Sequence, residues 1–179
     1  MVTAVLIKYS ENDCIKIPVG DEIILCLGDN SNKILEIVQG VMEKNEAHNR
    51  DDSLPKFELR CAINYGSVLE YKDINGCLNL AGPGINDASR ILSISKKNQI
   101  LVSDDFYKFI FDPMMNLEKS SLLNCFSDPV ENKVKHDEIK YVRNFCILEK
   151  NIGIPYDSNF EPIPKNELIP KYDRSGKIY

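Results

Sequence analysis

From Cys14 to Val19 apolar and polar residues alternate. Glu22 to Leu27 reads as a second strand, with Ile24-Leu25-Cys26-Leu27 an apolar run, and Gly20-Asp21 separates the two stretches. Strand patterning on both sides of a Gly-Asp pair predicts a β-hairpin with that pair at its tip. Residues 1–9 fit either the end of a helix or a short strand. After the hairpin the period changes. Ile34, Leu35, Ile37, Val38, Val41 and Met42 share one side of a helix that runs to about Ala47, with Asn30 as its expected cap. The polar stretch from His48 to Lys56 reads as a loop. Phe57, Leu59, Cys61 and Ile63 alternate on one face of a strand over 57–64, and Ser67 to Tyr71 is expected to continue that sheet past Gly66. Pro83 suits the first turn of a helix ending near Ser95. Gln99 to Val102 is a short apolar strand, and Ser103 caps a helix through about Phe111 that Asp112-Pro113 ends. Two more strands are expected over 131–149.

Hairpins and helices without strict strand–helix alternation define an α+β domain, with a largely antiparallel sheet flanked by helices. At 179 residues the chain fits one domain, over 1–150. Residues 151–179 hold four of the nine prolines (Pro155, Pro162, Pro164 and Pro170) and read as an extended C-terminal tail. No internal repeat is present. Apolar residues make up 43% of the chain, enough for one sizeable core. A formal charge of -5 argues against a general grip on nucleic acid or an anionic membrane surface. No apolar run reaches the roughly 18 residues that span a bilayer. The N-terminus lacks the basic flank and apolar stretch of a signal peptide. A cytoplasmic protein is therefore expected. The six cysteines, Cys14, Cys26, Cys61, Cys77, Cys125 and Cys146, are too far apart in sequence for a zinc knuckle. Several sit inside apolar runs, which fits buried reduced thiols. The two histidines, His48 and His136, give a histidine metal site or a Ser/His/Asp triad little to work with.

Three constellations can carry chemistry. Asp21 at a hairpin tip is placed to hold a hard cation through oxygen, although Asp also enters tight turns for conformational reasons. In Ala81-Gly82-Pro83-Gly84-Ile85-Asn86-Asp87-Ala88-Ser89-Arg90, a helix stacks Asn86 and Arg90 on one side, four residues apart. An amide and a guanidinium so placed can hold a sugar oxygen and a phosphate together. An ordinary solvated face has the same composition. Its glycines match neither GxGxxG nor the P-loop pattern. Lys133-Val134-Lys135-His136, before the last strands, can meet phosphate or simply keep a sheet edge soluble.

In this order and spacing the pieces resemble the class III adenylate/guanylate cyclase family over roughly residues 14–149. Gly20-Asp21 resembles the family's hairpin, whose Asp is the second of two metal ligands. FELRCAINYG, Phe57 to Gly66, resembles the strand that ends in a glycine. NLAGPGINDASRIL, Asn79 to Leu92, resembles the family's most specific signature, and QILVS, Gln99 to Ser103, follows it. The resemblance implies a ferredoxin-like catalytic domain that uses two Mg2+ or Mn2+ ions to convert a nucleoside triphosphate to a 3′,5′-cyclic nucleotide and pyrophosphate. It makes Asp21 a metal ligand and gives Asn86 the task of orienting the ribose. Arg90 would stabilise charge developing on the α-phosphate, and Lys135 would hold the β- and γ-phosphates. It also implies a homodimer with composite sites, in which the carboxylates come from one domain and the Asn/Arg pair from the other.

Two departures from the family pattern shape the expectation. The family has an upstream strand carrying the first metal Asp, followed by helices, and this chain begins too late to hold them. Asp13 lies in the loop before the hairpin, so an N-terminally truncated domain is expected. The two base-selecting positions are Ile17 and Asn79. Adenylate cyclases usually carry Lys and Asp there, and guanylate cyclases Glu and a small residue. Ile17 cannot hydrogen-bond a base edge, whereas Asn79 can both donate and accept. Neither purine rule is met. The bacterial Pycsar-type relatives, which make cyclic CMP or cyclic UMP in phage defence, join ATP and GTP cyclases among the candidates. A degenerate cyclase acting as a nucleotide-binding or regulatory module is the alternative. A structural α+β domain that assembles through its Pro-rich tail is a third reading.

Overall fold

The structure, a computed structural model, describes residues 14–27, 33–112, 122 and 125–147. The expected cap at Asn30, the element at 1–9, the helix stop at Pro113 and the tail at 151–179 lie outside the described residues.

The first hairpin forms as the alternation requires. Strands β1 (Ile15–Val19) and β2 (Glu22–Cys26) pair antiparallel, with Val19 opposite Glu22. Gly20-Asp21 is thus a two-residue loop. Gly20 has φ of 61°, which suits the hairpin turn that takes Gly at its first central position. Helix α1 (Ile34–Asn49) buries Ile37, Val38 and Met42, members of the predicted apolar side.

Only the end of the strand expected over 57–64 joins a ladder, as β3 (Cys61–Ile63). Its sole strand partner among the described residues is β6 (Ile100–Ser103), with Cys61 beside Ile100. Upstream, a helix side chain substitutes for a strand. Asn49 of α1 donates from Nδ2 to the Phe57 carbonyl at 2.7 Å, and its Oδ1 accepts the Phe57 N–H at 2.8 Å. Leu59 and Cys61 pack against the core and Ile63 is buried, but Phe57 is about half exposed, so the predicted face is correct from Leu59 onward and fails at Phe57.

Ser67 to Tyr71 does not continue the main sheet. Strand β4 (Leu69–Lys72) pairs antiparallel with β5 (Leu78–Ala81) as a separate two-stranded sheet. The chain reverses at Asp73-Ile74-Asn75-Gly76. There Gly76 adopts φ of 78°, and the Asp73 carboxylate accepts the N–H groups of Asn75 and Cys77 at 2.8 and 2.9 Å.

Helix α2 (Pro83–Ile94) precedes β6. Helix α3 (Asp104–Ile110) follows it and is capped by the Ser103 hydroxyl, which accepts the Phe106 N–H at 3.1 Å. Strands β7 (Val130–Lys133) and β8 (Ile139–Asn144) are joined through a 3-10 turn at Lys135–Asp137. The main sheet has the order β3-β6-β8-β7, and only the β3–β6 pair is parallel. Interior strand β6 is buried on both faces. Ile100 and Val102 join Val38, Met42, Phe106, Ile110 and Phe145 on the side of α1 and α3, while Leu101 meets Ile91 of α2 and Val142 on the other. The fold is therefore α+β, largely antiparallel and flanked by helices.

Glycine–glycine contact sets the start of α2. A Cβ on Gly84 would lie 2.9 Å from the Gly66 carbonyl carbon and oxygen, and 3.0 Å from the Ser67 oxygen. The Gly84 N–H donates to that Ser67 oxygen at 2.9 Å, and Asn64 Nδ2 donates to the Gly84 carbonyl at 2.9 Å. These glycines allow backbone to meet backbone. Gly84→Ala must push the helix off the Gly66-Ser67 backbone, and by analogy with overpacked cores it destabilises by about 1–3 kcal/mol, read by urea denaturation.

On the opposite face Arg143 of β8 ties the sheet to α3. Its Nε donates to Asp104 at 2.9 Å, its Nη1 donates to the Ser127 carbonyl at 3.1 Å, and the guanidinium lies 3.8 Å over the Tyr107 ring. Burial would raise the Asp104 carboxyl, but hydrogen bonds from Lys108 and Arg143 outweigh it and hold it below its ordinary value. A depressed carboxyl contributes stability above its unfolded pKa and loses it as pH falls through the folded one. Wild type is therefore more stable than Asp104→Asn at pH 6. That gap closes as pH drops well below about 3.9, the ordinary Asp value, in urea melts across the range.

Candidate functional site

The hairpin tip, α1, the end of β3 and the first turns of α2 enclose a cleft of about 610 Å3. Its walls are mostly aliphatic, from residues such as Ile24, Ile37, Val38, Ile63 and Leu92. Asp21 and Asn86 both line it and both are exposed. The two-residue turn holds Asp21 outward. The Asn86 N–H closes the first turn of α2 onto the Gly82 carbonyl at 3.2 Å. Its side-chain amide has no hydrogen-bond partner among the described residues, so an oxygen-bearing ligand can engage it.

Arg90, one turn further along α2, does not line this cleft. Its Nη1 donates to Asp87 Oδ1 at 3.1 Å and to Glu138 Oε2. Lys140 Nζ lies 2.9 Å from Asp87 Oδ2 and 2.7 Å from Glu138 Oε1. Two carboxylates and two cations thus close a ring between α2 and β8. A hydrogen bond from Lys140, ahead of the other influences, holds the Glu138 carboxyl below its ordinary value. Burial pulls Lys140 down, but its bonds to Glu138 and Asp87 outweigh that and raise it.

The remaining candidates lie elsewhere. Ile17 sits in β1 opposite Ile24, and Asn79 in β5 opposite Tyr71. Strand β1 packs beside β5, so the two strands that bear these positions are neighbours. Asn79 Oδ1 accepts the Leu80 N–H at 2.8 Å. Lys135 is exposed in the turn between β7 and β8 and does not line the cleft. The His136 side chain lies outside the described residues.

Asp87, Glu138 and Lys140 were not among the residues singled out from the sequence. The Asp87–Arg90 spacing is a local helical signal. Glu138 is 48 residues from Arg90, and no local pattern brings the two together.

Among the described residues, no group of three or more His, Cys, Asp or Glu side chains converges as a metal shell. Asp21 suits one hard cation shared with phosphate oxygens, since Mg2+ commonly takes one or two carboxylates together with substrate phosphates. The other carboxylates that line the cleft are Glu22, beside Asp21, and Glu58, which pairs with Lys97. No helix among them is long and apolar enough to cross a membrane.

No protein-family profile matches the chain, and no curated protein does. Solved structures do match. The guanylate cyclase domain of RhGC from Catenaria anguillulae, in complex with GTP, is similar with a TM-score of 0.55 at 16% identity, covering 81% of this chain and 77% of that one. The catalytic core of a rhodopsin-guanylyl cyclase with converted specificity, in complex with ATPαS, gives 0.57 at 17%, covering 81% and 76%. The adenylyl cyclase CyaB from P. aeruginosa gives 0.56 at 14%, covering 85% and 80%. The chain therefore has the fold of class III cyclase catalytic domains.

Proposed function

We propose that this protein is a nucleotide cyclase that converts a nucleoside triphosphate to its 3′,5′-cyclic nucleotide and pyrophosphate. The observation that carries the reading is the pairing, on one cleft in a cyclase fold, of an exposed carboxylate at Asp21 with an unpartnered amide at Asn86. The ribose 3′-oxygen bonds to the α-phosphorus as the bond from that phosphorus to the pyrophosphate oxygen breaks. The 3′-hydroxyl proton leaves to solvent. Asp21 holds a divalent cation, Mg2+ or Mn2+, which when bound supplies charge neutralisation at the triphosphate. Asn86 orients the ribose, Arg90 meets charge developing on the α-phosphate, and Lys135 approaches the outer phosphates.

The domain works as a homodimer on this reading. Arg90 does not line the cleft that Asp21 and Asn86 share within one chain, so an Arg90 from a second copy would complete it, which favours sites built from two copies. A second ion then needs a further carboxylate beside Asp21. The base is read at Ile17 and Asn79. Isoleucine offers the base edge no hydrogen bond and Asn79 keeps its amide donors, so a pyrimidine triphosphate stands beside ATP and GTP as substrate. A cyclic-nucleotide signal in the cytoplasm, with phage defence as one setting, follows from the same resemblance.

Ile17, which offers a base edge no hydrogen bond, favours a second reading, a degenerate cyclase that binds nucleotide or pairs with an active partner. Incubating the protein with Mn2+ and ATP, GTP, CTP or UTP separately, with mass-spectrometric identification of products, separates the two. The enzyme yields one or more cyclic nucleotides and names its base. Nucleotide binding without product from any of the four identifies the degenerate form.

A further inference from the structure

The ring around Arg90 is more elaborate than an arginine on a solvated helix face requires. The guanidinium carries five N–H donors in a rigid plane. Both described acid contacts fall on Nη1, from Asp87 on the same helix and from Glu138 across to the sheet. The donors on Nη2 and Nε make no contact among the described residues. Asp87 moves with α2 and by itself leaves the long side chain free to swing. Glu138 adds a fixed point on a second element. Lys140 then pins both carboxylates, at 2.9 and 2.7 Å. It shares a side of β8 with Val142, which packs on Ile91 of α2.

We propose that Glu138 and Lys140 are positioning residues for Arg90, holding its guanidinium by one nitrogen so that the other two nitrogens face the reacting phosphate; this assignment rests on the cyclase reading. The ring is neutral, with Asp87 and Glu138 balanced by Arg90 and Lys140. Its contribution is therefore direction rather than net attraction for a triphosphate. Donors fixed in advance where charge develops stabilise the transition state more than the bound substrate. Loss of Glu138 consequently lowers kcat and leaves KM nearly unchanged.

The test uses the full chain and the Arg90→Ala, Glu138→Ala and Glu138→Gln variants, with the Arg90→Ala/Glu138→Ala double variant. Each is assayed with Mn2+ and the four triphosphates. Each is also titrated by calorimetry with Mn2+ and the α,β-methylene analogues of those triphosphates. Glu138→Ala is expected to lower kcat about tenfold or more. Glu138→Gln recovers most of the loss, because its amide oxygen still accepts from Nη1. The double variant falls no further than Arg90→Ala, since a residue acting through another has nothing left to position. Additive losses, or a wild-type kcat in Glu138→Ala, overturn the assignment. If wild type binds the analogues but forms no cyclic product, the cyclase reading fails and the assignment falls with it, whereas cyclic product from wild type with an unchanged kcat in Glu138→Ala overturns the assignment alone. Analogue affinity in Glu138→Ala is expected to stay near wild type, and a loss of affinity as large as the loss of kcat overturns the assignment. A wild type that binds none of the analogues overturns both.

Discussion

Under the cyclase reading, Arg90→Ala is expected to lower the rate of cyclisation on the order of 10²-fold or more while the domain stays folded. The rate effect follows from the role proposed for the guanidinium. A donor plane aimed at the α-phosphate matters most when charge accumulates there, so kcat drops rather than KM alone. The folding expectation rests on geometry. Arg90 contributes nothing to the two apolar clusters, and its ion pairs with Asp87 and Glu138 sit at a partly exposed seam. Removing one cation from such a ring costs about 1 kcal/mol or less, and Lys140 still bridges the two acids. Product formation by mass spectrometry and melting by circular dichroism measure the two halves. Full activity in the variant rules out the role for Arg90, and an unfolded variant shows that the ring carries the fold.

Under the cyclase reading, Asp21→Ala is expected to reduce metal-dependent turnover to background with either Mg2+ or Mn2+. Asp21→Asn does nearly the same, because an amide oxygen carries no charge for a hard cation. The hairpin tolerates both changes. The strained position of the turn is Gly20, with φ of 61°, and Asp21 is exposed beside it. A Mn2+ titration of initial rate in wild type and variants reads the effect. Retained turnover in Asp21→Ala places the cation on other ligands.

What could be read in advance was local. The Gly20-Asp21 hairpin, the apolar side of α1, Pro83 at the head of α2 and the Ser103 cap each depend on residues within a few positions of one another. The 57–64 stretch was overextended because its alternation is real but its partner is short. Strand β6 reaches only Ile100–Ser103, and Asn49 reaches in from the helix to occupy the Phe57 backbone groups. The β4–β5 hairpin carried its own signal in Asn75-Gly76, which outweighs the continuity of apolar residues past Gly66. Of the site, Asp21 and Asn86 were legible as motif positions, and the cleft brings them together. The ring was not, because Glu138 and Lys140 reach Arg90 only through the β6–β8–β7 order of the sheet.

The separation of the two small hairpins from the main sheet bears on how such a protein changes over generations. Among the described residues, Ile17 and Asn79 sit on two-stranded units that share no backbone ladder with the four-stranded sheet, whereas Asn86 and Arg90 ride on a helix packed on that sheet, its start held at Gly84 by the Gly66-Ser67 backbone. Under the cyclase reading, drift on the hairpins can retune which base is accepted while the reacting helix keeps its seat. Lineages under pressure to alter their message can thus explore new letters without first dismantling the machinery that writes them.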